Sequence, residues 1–123
     1  MKTDIKEIEI NGVTYIEKGS QVIPSQNVDG LEYVIIRSAN AGVFAGYLKS
    51  KEKDEVIMIN TRRLWYWDGA ASLSQLATEG VTKPENCKFS VVVSNQIILG
   101  VCEIISTTEK AKNQIEGIKS WKN

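Results

Sequence analysis

The 123-residue chain carries 15 Lys plus Arg against 15 Asp plus Glu, 42% hydrophobic residues and no histidine. That length and balance suit one domain, residues 1–123, with its own buried core. The zero net charge argues against a DNA or RNA polymer as main partner, and the lack of histidine excludes Ser-His-Asp and Cys-His catalysis and every His-based metal site.

No apolar run approaches the length of a membrane span, and MKTDIKEIEI at the N-terminus has no signal-type apolar core. The expectation is a cytoplasmic protein without a membrane partner. Cys87 lies two residues before Phe89 and Cys102 follows Val101, and both are expected to be buried, reduced thiols. Two cysteines without histidine do not make a structural zinc site, so neither metal nor cofactor is expected.

In chain order, alternating apolar and polar residues predict strands over 5–10 and 13–18, with Asn11-Gly12 between them as a hairpin turn. Gly19–Gly30 reads as a long loop. Leu31–Arg37 (LEYVIIR) is a β-branched run of the kind buried on both faces; Ser38–Gly42 turns the chain and Val43–Leu48 returns it. Gly46 inside that strand signals a bulge or a close backbone approach. A charged turn at Ser50–Asp54 leads to a strand over Glu55–Asn60. Arg37 is expected to meet a carboxylate at a sheet edge, with a ligand-facing role as the alternative, and Tyr15, Tyr33 and Tyr47 to serve sheet packing.

Ser72 with Gln75 fits a capping box and Gly80 a C-terminal stop, so 73–79 is a helix. Strands follow over Phe89–Ser94 and Ile97–Ser106, with a tight turn at Ser94–Gln96. A second capping box, Ser106 with Glu109, starts a helix that runs to about Glu116, and Trp121 in the tail is expected to dock on the body. The fold class is α+β: a mostly antiparallel curved sheet or small open barrel of about seven strands, with two short helices.

The stretch TRRLWYWDGAASLSQLA (Thr61–Ala77) is the candidate site. In an extended strand, Arg63, Trp65 and Trp67 share one parity, which sets an indole platform beside a guanidinium. Indoles stack on nucleobases, and an arginine fork holds phosphate or carboxylate. Arg63 is the better anion ligand, with Arg62 beside it. The backbone at Ala71, Ser72 and Leu73 opens a helix whose free N–H groups favour an anion. The same residues also fit a plain structural role, with the tryptophans in a core or interface and Ser72 only a cap. Ala41–Gly46 (AGVFAG) lacks the lysine and hydroxyl residue of a phosphate loop.

Glu9–Tyr15 (EINGVTY), Gly42–Gly46 (GVFAG), Arg62–Ala77 (RRLWYWDGAASLSQLA), Lys83–Phe89 (KPENCKF) and Thr108–Lys112 (TEKAK) resemble a small family of accessory proteins from tailed phages and prophages. No catalytic residue carries over from that family. The resemblance implies a setting in the host bacterial cytosol and, by analogy, counter-defence. The expected function is then a non-enzymatic, homo-oligomeric binder that sequesters a small nucleotide immune signal, such as a cyclic ADP-ribose isomer or a cyclic oligonucleotide, on Arg62, Arg63, Trp65, Trp67 and the Ala71–Leu73 backbone. The alternative is a protein–protein inhibitor of a host defence enzyme, with the same rings and arginines as contact residues. A third reading, an enzyme with Asp68 or Glu79 as base, has no supporting geometry in the sequence.

Overall fold

The structure, a computed structural model, describes residues 7–10, 13–16 and 29–122. Strands β1 (Glu7–Ile10) and β2 (Val13–Ile16) pair antiparallel from Ile10↔Val13 to Glu7↔Ile16. That register brackets two residues, as the Asn11-Gly12 expectation requires; the turn itself, the outer ends of both predicted strands and most of the Gly19–Gly30 loop lie outside the described residues.

The body is an antiparallel sheet of six strands: β3 (Tyr33–Ser38), β4 (Gly42–Glu52), β5 (Glu55–Tyr66), β6 (Lys88–Phe89), β7 (Val93–Ile98) and β8 (Val101–Ser106). The order is β6-β5-β4-β3-β8, and β7 also pairs with β5, beside its first half. Two helices complete it, α1 (Leu73–Glu79) and α2 (Glu109–Gly117). The class is α+β with an open sheet; no ladder joins β7 to β8 among the described residues. Yet only Leu99 and Gly100 separate those strands, although they lie four strand steps apart. A flat sheet would place them about 19 Å apart, while three peptide units reach at most about 11 Å. The sheet is therefore curled, and the Gly100 corner is tied down where Ala39 N–H donates to Gly100 O and Val101 N–H to Asp54 O.

Two apolar clusters occupy the two sheet faces. Tyr33, Ile35, Ala45, Tyr47, Leu64 and Phe89 meet Leu76 and Ala77 of α1 and Ile115 of α2. Val34, Ile36, Phe44, Val56, Met58 and Ile98 pack together on the other face. Both faces of β3 are buried, as its unbroken β-branched run predicts.

A bulge in β5 sets which residue meets which face. Tyr47 pairs with Ile59 and Ala45 with Arg62, so Gly46 alone opposes Asn60 and Thr61. Asn60 takes the extra residue in the left-handed region, at φ 48°. Before the bulge Val56 and Met58 point away from the helices; after it Arg62 and Leu64 point toward them. A Cβ on Gly46 would lie 2.7 Å from Thr61 Cα, Cβ and Oγ1, so this is the close backbone approach that the glycine signalled.

The helices follow their end signals. Ser72 Oγ accepts from Gln75 N–H at 3.1 Å, and Gly80 ends α1 at φ 80°. Helix α2 begins at Glu109, but its cap is Thr108, whose Oγ1 accepts from Ala111 N–H, rather than Ser106, which lies in β8. The predicted turn at Ser94–Gln96 is also corrected. Those residues are strand, and the chain turns at Leu99–Gly100, where the glycine adopts φ 69°. Cys87 is a buried free thiol, as expected, whereas Cys102 is exposed.

Tyr33 and Tyr47 meet edge to face, 4.9 Å between ring centroids, and Tyr47 O–H donates to Glu116 Oε2 at 2.7 Å. Burial first, then the Glu116 carboxylate, holds both phenols well above the ordinary value of about 10. Because the folded pKa is raised, this stabilisation is complete below the unfolded value and is lost as pH climbs past it. An alkaline titration followed by ultraviolet absorbance and circular dichroism should show two of the four tyrosines ionising only as the chain unfolds. Complete ionisation of all four with the fold intact would contradict the packing.

Candidate functional site

The two adjacent arginines go to opposite faces of the sheet. Arg62 is 2% exposed. Its Nε donates to Ser90 O at 2.9 Å, and its Nη1 to Ile115 O and Ile118 O, both at 2.8 Å. Longer contacts run from Nη2 to Phe89 O and Ser120 Oγ, and the guanidinium carbon lies 5.6 Å from the Phe89 ring centroid. The carbonyls at the end of α2 are the negative pole of that helix, which suits a buried cation. Burial pulls the Arg62 pKa down, though an arginine remains charged in a protein. Arg62 is thus a latch joining β5, the start of the β6–β7 connection and the C-terminal tail. The expectation that it holds ligand phosphate is corrected, since its donors are already engaged inside the fold.

Arg63 pairs across the sheet with Phe44, and its guanidinium carbon sits 4.8 Å from the Phe44 ring centroid, on the face away from the helices. It makes no ion pair and no side-chain hydrogen bond among the described residues. Two adjoining hollows, of about 410 and 220 Å³, share Phe44, Arg63 and Gln96 in their walls. Asn40 lines the larger and Ser90 the smaller. The Ser90 hydroxyl is occupied, accepting from Arg63 N–H and contacting Val91 O. The side-chain amides of Asn40 and Gln96 have no protein partner among the described residues. One guanidinium and two amides, none with a side-chain hydrogen bond among the described residues, therefore border the same depression, a set able to hold an anion and read a polar ring edge.

The remaining predicted residues divide between other places. Trp65 is an extra residue between the pairs Leu64↔Phe89 and Tyr66↔Lys88, and its indole is 60% exposed. Trp67, just past β5, packs against the helix-side cluster, as does Leu73. The two indoles therefore do not form one platform. Ala71 and Ser72 are exposed, but Ala71 N–H already donates to Gln75 Oε1 at 2.8 Å and the Ser72 hydroxyl caps α1. Since α1 packs on the face opposite Arg63, the Ala71–Leu73 amides do not join the Arg63 hollow. Asp68 accepts from Asn86 Nδ2 at 3.0 Å, and Glu79 from Gln75 Nε2 at 3.2 Å, so both carboxylates serve local contacts. Arg37 meets the expected sheet-edge carboxylate, Glu103, at 2.8 Å.

A larger depression, about 650 Å³, lies under the tail between Pro84, Cys87, Ile118 and Trp121. Its Gln114 amide is spent on Val81, donating to the carbonyl and accepting from the N–H. Trp121 does dock there, its backbone N–H donating to Phe89 O and its ring centroid 5.2 Å from Lys88 Nζ, while remaining half exposed. Among the described residues no group of three or more His, Cys, Asp or Glu could hold a metal ion, and no helix is long and apolar enough to cross a membrane.

A family model described as a domain of unknown function, DUF6948, matches residues 31–115, well over half of the chain. The chain belongs to the DUF6948 family. No curated protein and no solved structure matches it. The DUF6948 span takes in both arginines, Phe44, Asn40 and Gln96, and leaves out the β1–β2 hairpin and the tail with Ile118 and Ser120. Asn40, Phe44 and Gln96 carry no local signal of a site. They reach Arg63 only through strand pairings between distant parts of the chain.

Proposed function

We propose that this protein is a non-enzymatic binder that captures a small anionic, ring-bearing ligand of the nucleotide class in the Arg63 hollow. The observation that carries this reading is the Arg63 guanidinium, seated on Phe44 between hollows that also present the Asn40 and Gln96 amides, with no carboxylate partner for the arginine and no protein partner for the amides among the described residues. Arg63 holds the phosphate, the amides meet polar edges, and the exposed Trp65 indole, two residues along β5, supplies a stacking surface. The resemblance to phage accessory proteins gives such capture a purpose: removal of an ADP-ribose-derived or cyclic nucleotide signal in the host cytosol, which blocks anti-phage defence.

Calorimetry against a panel of cyclic dinucleotides, cyclic ADP-ribose isomers and ADP-ribose tests this. One member is expected to bind and be recovered unchanged, and Arg63→Ala to weaken it by at least about tenfold, the scale of a lost charge-assisted hydrogen bond. Absence of heat across the panel, or full affinity in Arg63→Ala, would overturn the assignment. The inhibitor reading draws on a different observation, the adjacent Trp65 and Tyr66 at 60% and 50% exposure. It predicts a single stoichiometric host protein whose capture is indifferent to nucleotides and is lost in Trp65→Ala.

A further inference from the structure

Phe89–Cys102 reads FSVVVSNQIILGVC, fourteen residues without a charge in a chain that is 24% charged. Strand β7 lies in the middle of this run. Its only strand neighbour among the described residues is β5, which leaves the backbone N–H and C=O groups of its other edge without a strand partner. Val91, Val93, Ile97 and Leu99 are between 39% and 61% exposed along it. A single subunit ordinarily guards such an edge with lysine, proline or a bulge, because an open apolar edge recruits another strand. Neither lysine nor proline occurs in this run, and the β5–β7 register passes from Ile98 to Val93 without a charged side chain.

We propose that β7 is the seam of a symmetric homodimer, in which β7 of a second copy adds antiparallel about a two-fold axis at Asn95. That register sets Val93 opposite the partner's Ile97 and Val91 opposite the partner's Leu99 on one face, with Gln96 opposite the partner's Ser94 on the other. Every pair is neutral, so the strand is complementary to itself; a charged edge would face its own charge across the axis. The same register keeps the helix sides of both sheets on one side, whereas a one-residue slip would mix them. Because Gln96 lines both Arg63 hollows, the partner's Ser94 and the partner's Val92 extend their outer wall. The seam rests on the strand edge alone and stands whether or not the hollow takes a nucleotide.

Sedimentation velocity on the full chain should give twice the 13.7 kDa chain mass. Ile97→Lys, which sets a charge into the seam, should give a folded monomer by circular dichroism. Asn95→Cys in a Cys102→Ser background should cross-link to itself under mild oxidation. Residues opposite one another across an antiparallel pair lie about 4.5–5.5 Å apart, within disulfide reach. Lys53→Cys in the same background should not cross-link. A monomeric wild-type chain overturns the proposal, as when other residues of the chain cover the edge. So does a dimer that survives Ile97→Lys in folded form, or one that fails to cross-link through the Asn95→Cys thiol. If Ile97→Lys does not fold, the cross-link decides.

Discussion

Replacing Arg62 with methionine is expected to destabilise the protein by about 3–5 kcal/mol, the scale of breaking a buried charged network, and to lower its melting temperature by roughly 10–20 °C. Methionine fills much of the volume but takes the Arg62 donor from Ser90 O and Ile118 O and leaves Ile115 O with only the 3.4 Å contact from Ile118 N–H, and an unsatisfied buried acceptor costs about 1–3 kcal/mol. Arg62→Lys should recover little, because a single ammonium does not span acceptors on both sides of a planar fork. Arg63→Ala, one residue along, should stay within about 1 kcal/mol of wild type, since among the described residues the Arg63 side chain has only the Phe44 ring to lose. Thermal melts of the three variants check this. Equal losses at the two positions would mean that the division of the arginines between sheet faces is wrong.

Gly46→Ala is expected to cost about 3 kcal/mol, at the upper end of overpacking penalties, although it adds a single methyl group. That methyl meets Thr61 at 2.7 Å, and two of the atoms it meets are Cα and Cβ. The strands would have to separate at the bulge that turns Arg62 inward and Arg63 outward, where Thr61 Oγ1 also donates to Ala45 O at 3.1 Å. Thr61→Ala removes only the hydroxyl and the methyl of the threonine, so it should not rescue Gly46→Ala. Urea denaturation of the single and double variants reads this directly. Rescue by Thr61→Ala would show that the contact is a side-chain clash and not the approach of two backbones.

Much of the local structure was legible because the chain marks it. Ser72, Gln75 and Gly80 delimit α1 residue for residue, and the β1–β2 register brackets the Asn-Gly pair. The β7–β8 turn was misread because Ser94, Asn95 and Gln96 are turn-forming types, while Gly100, the residue in the left-handed region, lies between apolar neighbours. The candidate site was legible only in part. Parity within 62–67 puts Arg62 and Arg63 on different faces, but which face receives the helices depends on the bulge opposite Gly46. A glycine announces such a bulge without fixing its outcome. Nothing local marks Arg62 as interior, since arginines are almost never fully buried. What holds it there, the carbonyls of Ile115 and Ile118, comes from more than fifty residues away. Trp67 and the Ala71–Leu73 amides left the expected constellation for a related reason: the chain crosses to the helix side directly after β5.

The most direct test of the Arg63 hollow as the working site is a two-dimensional NMR titration of the labelled protein with whichever nucleotide the calorimetric panel selects. Binding in this hollow should give shifts centred on the side-chain amides of Asn40 and Gln96, the backbone at Arg63 and the Trp65 indole, with Ala71, Ser72 and Leu73 unmoved. Shifts centred on Ala71–Leu73 with the Asn40 and Gln96 amides still would contradict it.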